Sequence, residues 1–310
     1  METYDSQYSC TKILYRRFLF LILLRMKEHM QKKSKFFLSC LSITLIVNLT
    51  LTTAHSGLAN AKQQNNTSMQ PQGTRSMATT TTNATNVNIV LVHGTYVDGS
   101  SWSKVIPILQ NAGHKVIAVQ LPLHSLADDI ATVKRTIDLV GGQVILVGHS
   151  YGGFVITNAA YNNPSVKGLV YVAAFAPKEG QSLGNFIDAS KLPKGFLVFD
   201  SGGFIYINPA MFHQAVAPDT DPAQAKVLAA AQKPYNKSIL AEKSGPPAWK
   251  QLPSWYQVSE NDSLIPPDAE RMFAKQINAT TISIPSSHAS PLSHPNEVAQ
   301  LILNATKGIK

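Results

Sequence analysis

The spacing of apolar residues changes character at Val87. From there on, short runs that are apolar on both faces alternate with longer stretches that repeat about every 3.6 residues. "VNIVLVH" (87–93), "KVIAVQL" (115–121), "QVILVG" (143–148), "VKGLVYVAA" (166–174), "WYQVSEN" (255–261) and "TTISIP" (280–285) are rich in β-branched residues. Runs without a polar face suit central strands of a parallel sheet covered on both sides. The stretches between them predict helices over 102–112, 125–139, 151–162, 267–277 and 296–305. Ser125 before "LADDI" is an N-cap with acidic residues in the first turn, and the prolines of "PPDAER" stand where a helix begins. This alternation predicts one α/β domain over residues 86–310, with a mostly parallel central sheet flanked by helices.

The rhythm lapses between the fourth and fifth runs. Residues 176–254 are rich in Pro, Gly and aromatics, and only 221–232 reads as a helix. An insertion of this length is too long for an ordinary connection and predicts a cap over the strand ends.

The N-terminal part follows another pattern. "KKSK" (32–35) precedes the apolar "FFLSCLSITLIVNLTL" (36–51), and "ANA" (59–61) offers the small residues a signal peptidase reads. Residues 1–61 are therefore expected to be a targeting segment cleaved near Ala61, sending the protein to the periplasm or the medium of a bacterium. The alternative, an uncleaved membrane anchor, is opposed by the short run and its break at Asn48. In that case the membrane would be a partner only through this segment. "RRFLFLILLR" (16–25) duplicates the signal pattern, which makes Met26 or Met30 an alternative start. Residues 62–85 are polar, low in complexity and aperiodic, as in a flexible linker.

Charge and cysteine count add little beyond this division. The formal net charge over all 310 residues is +9. Most of the excess lies in the first 61 residues, and the rest is scattered without the basic runs of a nucleic-acid surface. Cys10 and Cys40 both fall in the targeting segment. The mature domain then has no disulfide, no Cys nucleophile and no Cys-ligated metal.

The candidate chemistry lies in "ILVGHSYGGFVI" (145–156). A strand that runs through G-x-S-x-G into a helix is a nucleophile elbow. Side chains at Gly148 and Gly152 would collide with neighbouring backbone, and the turn leaves Ser150 at a helix N-terminus that favours negative charge. A serine hydroxyl needs a base and the base an orienting acid, which this arrangement supplies in the order Ser, acid, His. Three histidines follow Ser150: His213 in the cap, His288 just past the last strand, and His294 before a proline at a helix entry. Position favours His288. The acid lies in "YQVSENDSLIPP", where Asp262 stands further past the strand end than Glu260.

The oxyanion of a tetrahedral intermediate needs two backbone N–H donors. Tyr151 supplies one and Thr95, in "VHGTYVDGSSW" (92–102), the other; Gly94 permits the bend and His93 holds the loop. This chemistry requires no metal and no organic cofactor. Phe186, Met211, Phe212 and Trp249 in the cap are candidate lining for an apolar or aromatic substrate, or else the cap's own core.

With Gly94, Ser150, Asp262 and His288 in place, the chain resembles the α/β-hydrolase superfamily from about residue 87 onward. "HGTYVDGSSWSKVIPIL", "LPLHSLADDI", "VSENDSLIPPDAERMFAK" and "SHASPLSHPNEVA" are similar to small bacterial esterase-type hydrolases, and through them to the plant methylesterase and hydroxynitrile-lyase branch. The resemblance implies the α/β-hydrolase fold with a cap, a Ser150–His288–Asp262 triad, Thr95 and Tyr151 as oxyanion donors, and a small-molecule ester as partner. It implies a lysine beside the histidine only in the lyases; Ala289 stands there, which favours ester hydrolysis. Lactonase, amidase or perhydrolase chemistry on the same triad, or a non-catalytic ligand-binding role, are the alternatives. Oligomeric state has no signature in the sequence.

Overall fold

The computed structural model of the chain describes residues 87–309; the expected targeting segment (1–61) and expected linker (62–85) lie outside the described residues. The first four apolar runs become β1 (Asn88–Val92), β2 (Val116–Ala118), β3 (Val144–His149) and β4 (Val166–Val172). The insertion contributes the short strands β5 (Leu197–Phe199), β6 (Phe204–Ile207) and β7 (Tyr235–Asn236). The last two runs are β8 (Ser254–Ser259) and β9 (Thr280–Ile284). The central sheet has the order β2-β1-β3-β4-β8-β9, and every neighbouring pair is parallel.

Two-sided apolarity has the expected cause. On β3, Val144 and Leu146 pack into one cluster with Val133, Ile137, Phe154 and Phe273, while Ile145 and Val147 pack into another with Trp102, Leu109 and Ile302. The period of two in a strand assigns alternate residues to opposite faces. The covering helices are α1 (Val105–Asn111), α2 (Leu126–Val140) and α3 (Tyr151–Ala159), then α4 (Pro209–Val216) and α5 (Pro222–Ala231) in the insertion. They continue as α6 (Pro267–Gln276), α7 (Ser290–Ser293) and α8 (Pro295–Gly308). The expected helix over 102–112 begins later, because Gly99–Trp102 is a 3-10 turn capped by the Asp98 carboxylate on the Ser100 N–H at 2.8 Å.

Helix α2 starts as expected, with the Ser125 hydroxyl accepting the Asp128 N–H at 3.0 Å. Asp129 departs from the surface role its place in the first turn suggests. It is fully buried and accepts the Leu123 N–H and the Tyr151 O–H, each at 2.8 Å. Burial pushes its carboxyl up to about 6, against the opposing effect of those two donors.

The insertion holds more regular structure than the single helix expected near 221–232. Besides α5 it contains α4 and the antiparallel β5-β6-β7 sheet. These strands are two to four residues long, too short to show a period. Its core is Phe196, Ile207, Phe212, Val216 and Ala217, packed against Ala289 of the α/β body.

Candidate active site

The nucleophile elbow is built by steric exclusion. Ser150 is the N-cap of α3, with φ 54° and ψ −123°, a left-handed backbone that L-residues avoid. Four backbone hydrogen bonds hold it there. Its N–H donates to the Val172 and Ala173 carbonyls at 3.2 and 3.1 Å, and its carbonyl accepts from Gly153 and Phe175 at 3.0 and 3.2 Å. Strain of this kind persists where the surroundings over-determine it. A Cβ on Gly148 would lie 2.6 Å from the Gly152 backbone, and one on Gly152 would strike the Val92 carbonyl. No side chain fits either place.

Gly94 serves a different need from the one its sequence suggests. A Cβ there would sit 2.7 Å from the Ser150 Cβ, so glycine lets the loop after β1 approach the serine. The unusual bend falls at Tyr96, whose φ is 65°. His93 anchors the loop, as expected. Its Nε2 accepts the Leu121 N–H at 3.0 Å, which places the proton on Nδ1 for donation to the Gly94 carbonyl at 2.7 Å. Burial pushes His93 down to about 4, so the ring is neutral.

The acid and the histidine meet by hydrogen bonds. Asp262 follows β8, and its Oδ1 accepts the Leu264 and Ile265 N–H groups at 2.7 and 2.9 Å. Its Oδ2 lies 2.5 Å from His288 Nδ1. Burial raises the Asp262 carboxyl, but His288 and the two N–H groups more than offset this and leave it below its ordinary value. A carboxylate on Nδ1 fixes the proton there and presents Nε2 as the basic nitrogen. Glu260, the other acidic candidate, turns outward to a salt bridge with Arg271.

Four hydrogen bonds, to His149, Asp219 and Val216, place the backbone around His288. The His288 carbonyl accepts the His149 Nε2–H at 2.8 Å, from the residue next to Ser150. Asp219 accepts the Ser287 N–H at 2.7 Å and the Ser287 hydroxyl at 2.5 Å, and the Ala289 N–H donates to the Val216 carbonyl at 3.1 Å. The insertion thus grips the histidine loop on both sides of His288. Burial pushes His149 down to about 3, which keeps it neutral. Neither His149 nor Asp219 was found from the sequence. "GHSYG" reads equally well with any residue in the second place, and Asp219 acts on a partner 68 positions away.

Among the described residues, neither the Tyr151 nor the Thr95 N–H donates to a protein acceptor. The first N–H groups of a helix have no partner within it, which explains Tyr151. His213 lies on α4 in the insertion, and His294 entering α8 has its Nδ1 3.0 Å from the Ser293 hydroxyl.

An apolar cavity opens beside this cluster. Thr95, Tyr96, His149, His288 and Ala289 line one part of it, and Val216, Leu228, Leu264 and Leu292 are among the other lining residues. The four cap residues singled out from the sequence lie elsewhere. Phe186 stacks on Phe175 and meets Phe273 edge-on; Phe212 is fully buried in the cap core, with Met211 packed against it. Trp249 packs against the main core and donates its indole N–H to the Pro177 carbonyl at 2.9 Å.

A parallel sheet with a strained serine after its third strand, an acid–histidine pair beyond the later strands and a cap over them is the architecture of the α/β hydrolases. Residues 89–301 match the alpha/beta hydrolase family, and the chain belongs to it. Its relatives include the carbendazim hydrolyzing esterase of a Nocardioides species, 27% identical over 240 residues that cover 69% of this chain and 97% of that protein. The polyneuridine aldehyde esterase of Rauvolfia serpentina is 24% identical over 252 residues, 70% of this chain and 94% of the relative. Among solved structures, a pyrethroid hydrolase from Sphingobium faniae shares the fold at a TM-score of 0.62 and 21% identity, covering 72% of this chain and 98% of its own. Bacterial and plant esterases both appear, in keeping with the resemblance to the plant methylesterase branch.

Proposed function

We propose that the protein is a serine hydrolase that cleaves small carboxylic esters with an apolar group. Ser150 attacks the carbonyl, His288 takes the proton at Nε2 and returns it to the leaving alcohol, and Asp262 orients the ring. The Thr95 and Tyr151 N–H groups hold the oxyanion, and water then releases the acid from the acyl-enzyme. The observation that carries this reading is the 2.5 Å His288–Asp262 contact, next to a serine whose neighbour bonds the His288 carbonyl. The curated relatives named as esterases support the ester as substrate class. Preference for an apolar portion rests on the leucine and valine lining of the cavity. Export with cleavage near Ala61 is part of the same proposal, and N-terminal sequencing of the mature protein tests it.

The experiment is hydrolysis of a p-nitrophenyl ester series, from acetate to palmitate with one aromatic acyl member, by the protein and its Ser150→Ala variant. Serine-dependent turnover that peaks at short or aromatic acyl groups is expected. Turnover that survives Ser150→Ala would contradict the assignment. Folded protein that turns over no ester would shift it to lactone or amide substrates, or to ligand binding.

A further inference from the structure

One buried acid takes no part in the proposed reaction. Glu270 stands on α6, is fully buried, and accepts the Ser259 N–H through Oε2 at 3.0 Å. Ser259 ends β8, three residues before Asp262. The other Glu270 oxygen, Oε1, is buried with no donor, and the Glu270 carboxyl lies within hydrogen-bond reach of the Asp262 side chain. Two carboxylates cannot share a hydrogen bond; one of them must bring the proton.

The surroundings decide which one. Asp262 faces three donors, the His288 ring and the Leu264 and Ile265 N–H groups, all of which favour its ionised form. Glu270 faces the Asp262 and Glu260 charges and the buried Tyr256, with only the Ser259 N–H in its favour. The nearby cation, Arg271, is spent outward on Glu260 and Asp268. The Tyr256 hydroxyl is engaged with the Ala174 backbone.

We propose that Glu270 is a positioning residue of the active site: it stays protonated and donates its carboxyl O–H to Asp262, as a further donor around the carboxylate that orients His288. The proposal rests on the reading of Asp262 as the orienting acid. Burial first, then the Asp262 charge, pushes the Glu270 carboxyl up to about 10, so the proton is retained across the working range of an esterase. The arrangement holds the Asp262 carboxylate by one more bond besides those from His288, Leu264 and Ile265. It also draws electron density away from the carboxylate, limiting how strongly that carboxylate stabilises the imidazolium.

Glu270→Gln and Glu270→Leu separate this from a merely structural role. Glutamine is neutral and can donate to Asp262 while accepting from Ser259, so kcat and the acidic limb of the kcat/KM pH profile are expected to stay at their wild-type values. Leucine removes the donor. It is expected to lower kcat about tenfold, a loss typical of an outer hydrogen-bond partner, and to move the acidic limb to higher pH. An ionised Glu270 would instead make Glu270→Gln delete a negative charge beside the pair and lower that limb by about one unit or more, overturning the proposal. Unchanged kcat in Glu270→Leu would do the same.

Infrared difference spectra at neutral pH read the proton without turnover. A protonated-carboxyl C=O band in the wild type that vanishes in Glu270→Gln is expected, and its absence from the wild type overturns the proposal. If no ester is hydrolysed, the kinetic arm falls with the functional reading while the infrared result still decides where the proton sits.

Discussion

The two sides of the site are held by different means. On the serine side, the main chain does the work: Gly152 closes against Gly148 and Val92, and backbone hydrogen bonds with Val172, Ala173, Gly153 and Phe175 hold Ser150 at φ 54°. On the histidine side, bonds made largely by side chains do it. His288 is placed by Asp262 from the loop after β8, by His149 from the elbow, and by Asp219 and Val216 from the insertion. Main-chain placement offers no side chain to remove, and its glycines are written in a short motif. Placement through side chains can be weakened in steps, and here it ties the histidine to the insertion.

If that contrast is right, substitutions on the two sides should fail differently. Asp262→Asn should leave the fold intact while kcat falls by about 10^4, because the amide holds the wrong imidazole tautomer; steady-state kinetics with circular dichroism would show the split. Gly152→Ala should act first on folding. Its methyl group meets backbone that cannot yield, so the thermal midpoint should drop by an amount matching about 3 kcal/mol or more, with activity lost alongside it. Retained stability in Gly152→Ala would undo the main-chain half of the comparison.

Asp219→Ala tests the cap's grip. It leaves the Ser287 N–H without its acceptor, so a stability loss of about 1–2 kcal/mol is expected together with a several-fold fall in kcat. A change confined to KM would mean that the cap shapes the pocket without placing His288.

The smallest effect on activity should come from Asp129, below the elbow, which acts on stability. Its folded-state value of about 6 lies above the ordinary 3.8, so between those values the unfolded chain gives up a proton that the folded chain keeps. Stability should therefore fall as pH rises through that window and level off above it. Asp129→Asn should remove this part of the pH dependence, as followed by urea midpoints across the window.

How much of this could be read from the chain follows from the same contrast. The central strands β1, β3 and β4 were visible because burial on both faces leaves no polar residues in "VILV" or "LVYV", whereas the exposed edge strand β9 showed itself by its β-branched residues. The Ser125 cap is a local motif whose partner lies three residues on, and the elbow is announced by its glycines although Gly152 closes against Val92 of β1. β5 to β7 were hidden by their shortness, and α4 by an eight-residue length that offers barely two turns of periodicity. Phe212 read equally as pocket lining or as the insertion's own core, because composition does not distinguish the two; it lies in the core. Asp129, Asp219 and Glu270 carry no local signal of their roles in the sequence. Each acquires its role from a partner that only the folded chain brings within reach.

The most direct test of the central claim is intact-mass and peptide-mapping analysis after treatment with a fluorophosphonate, on the wild type and on His288→Ala. The account predicts a single adduct on the peptide carrying Ser150, formed rapidly in the wild type and far more slowly without His288. An adduct on another residue, or equal rates in the two proteins, would contradict it.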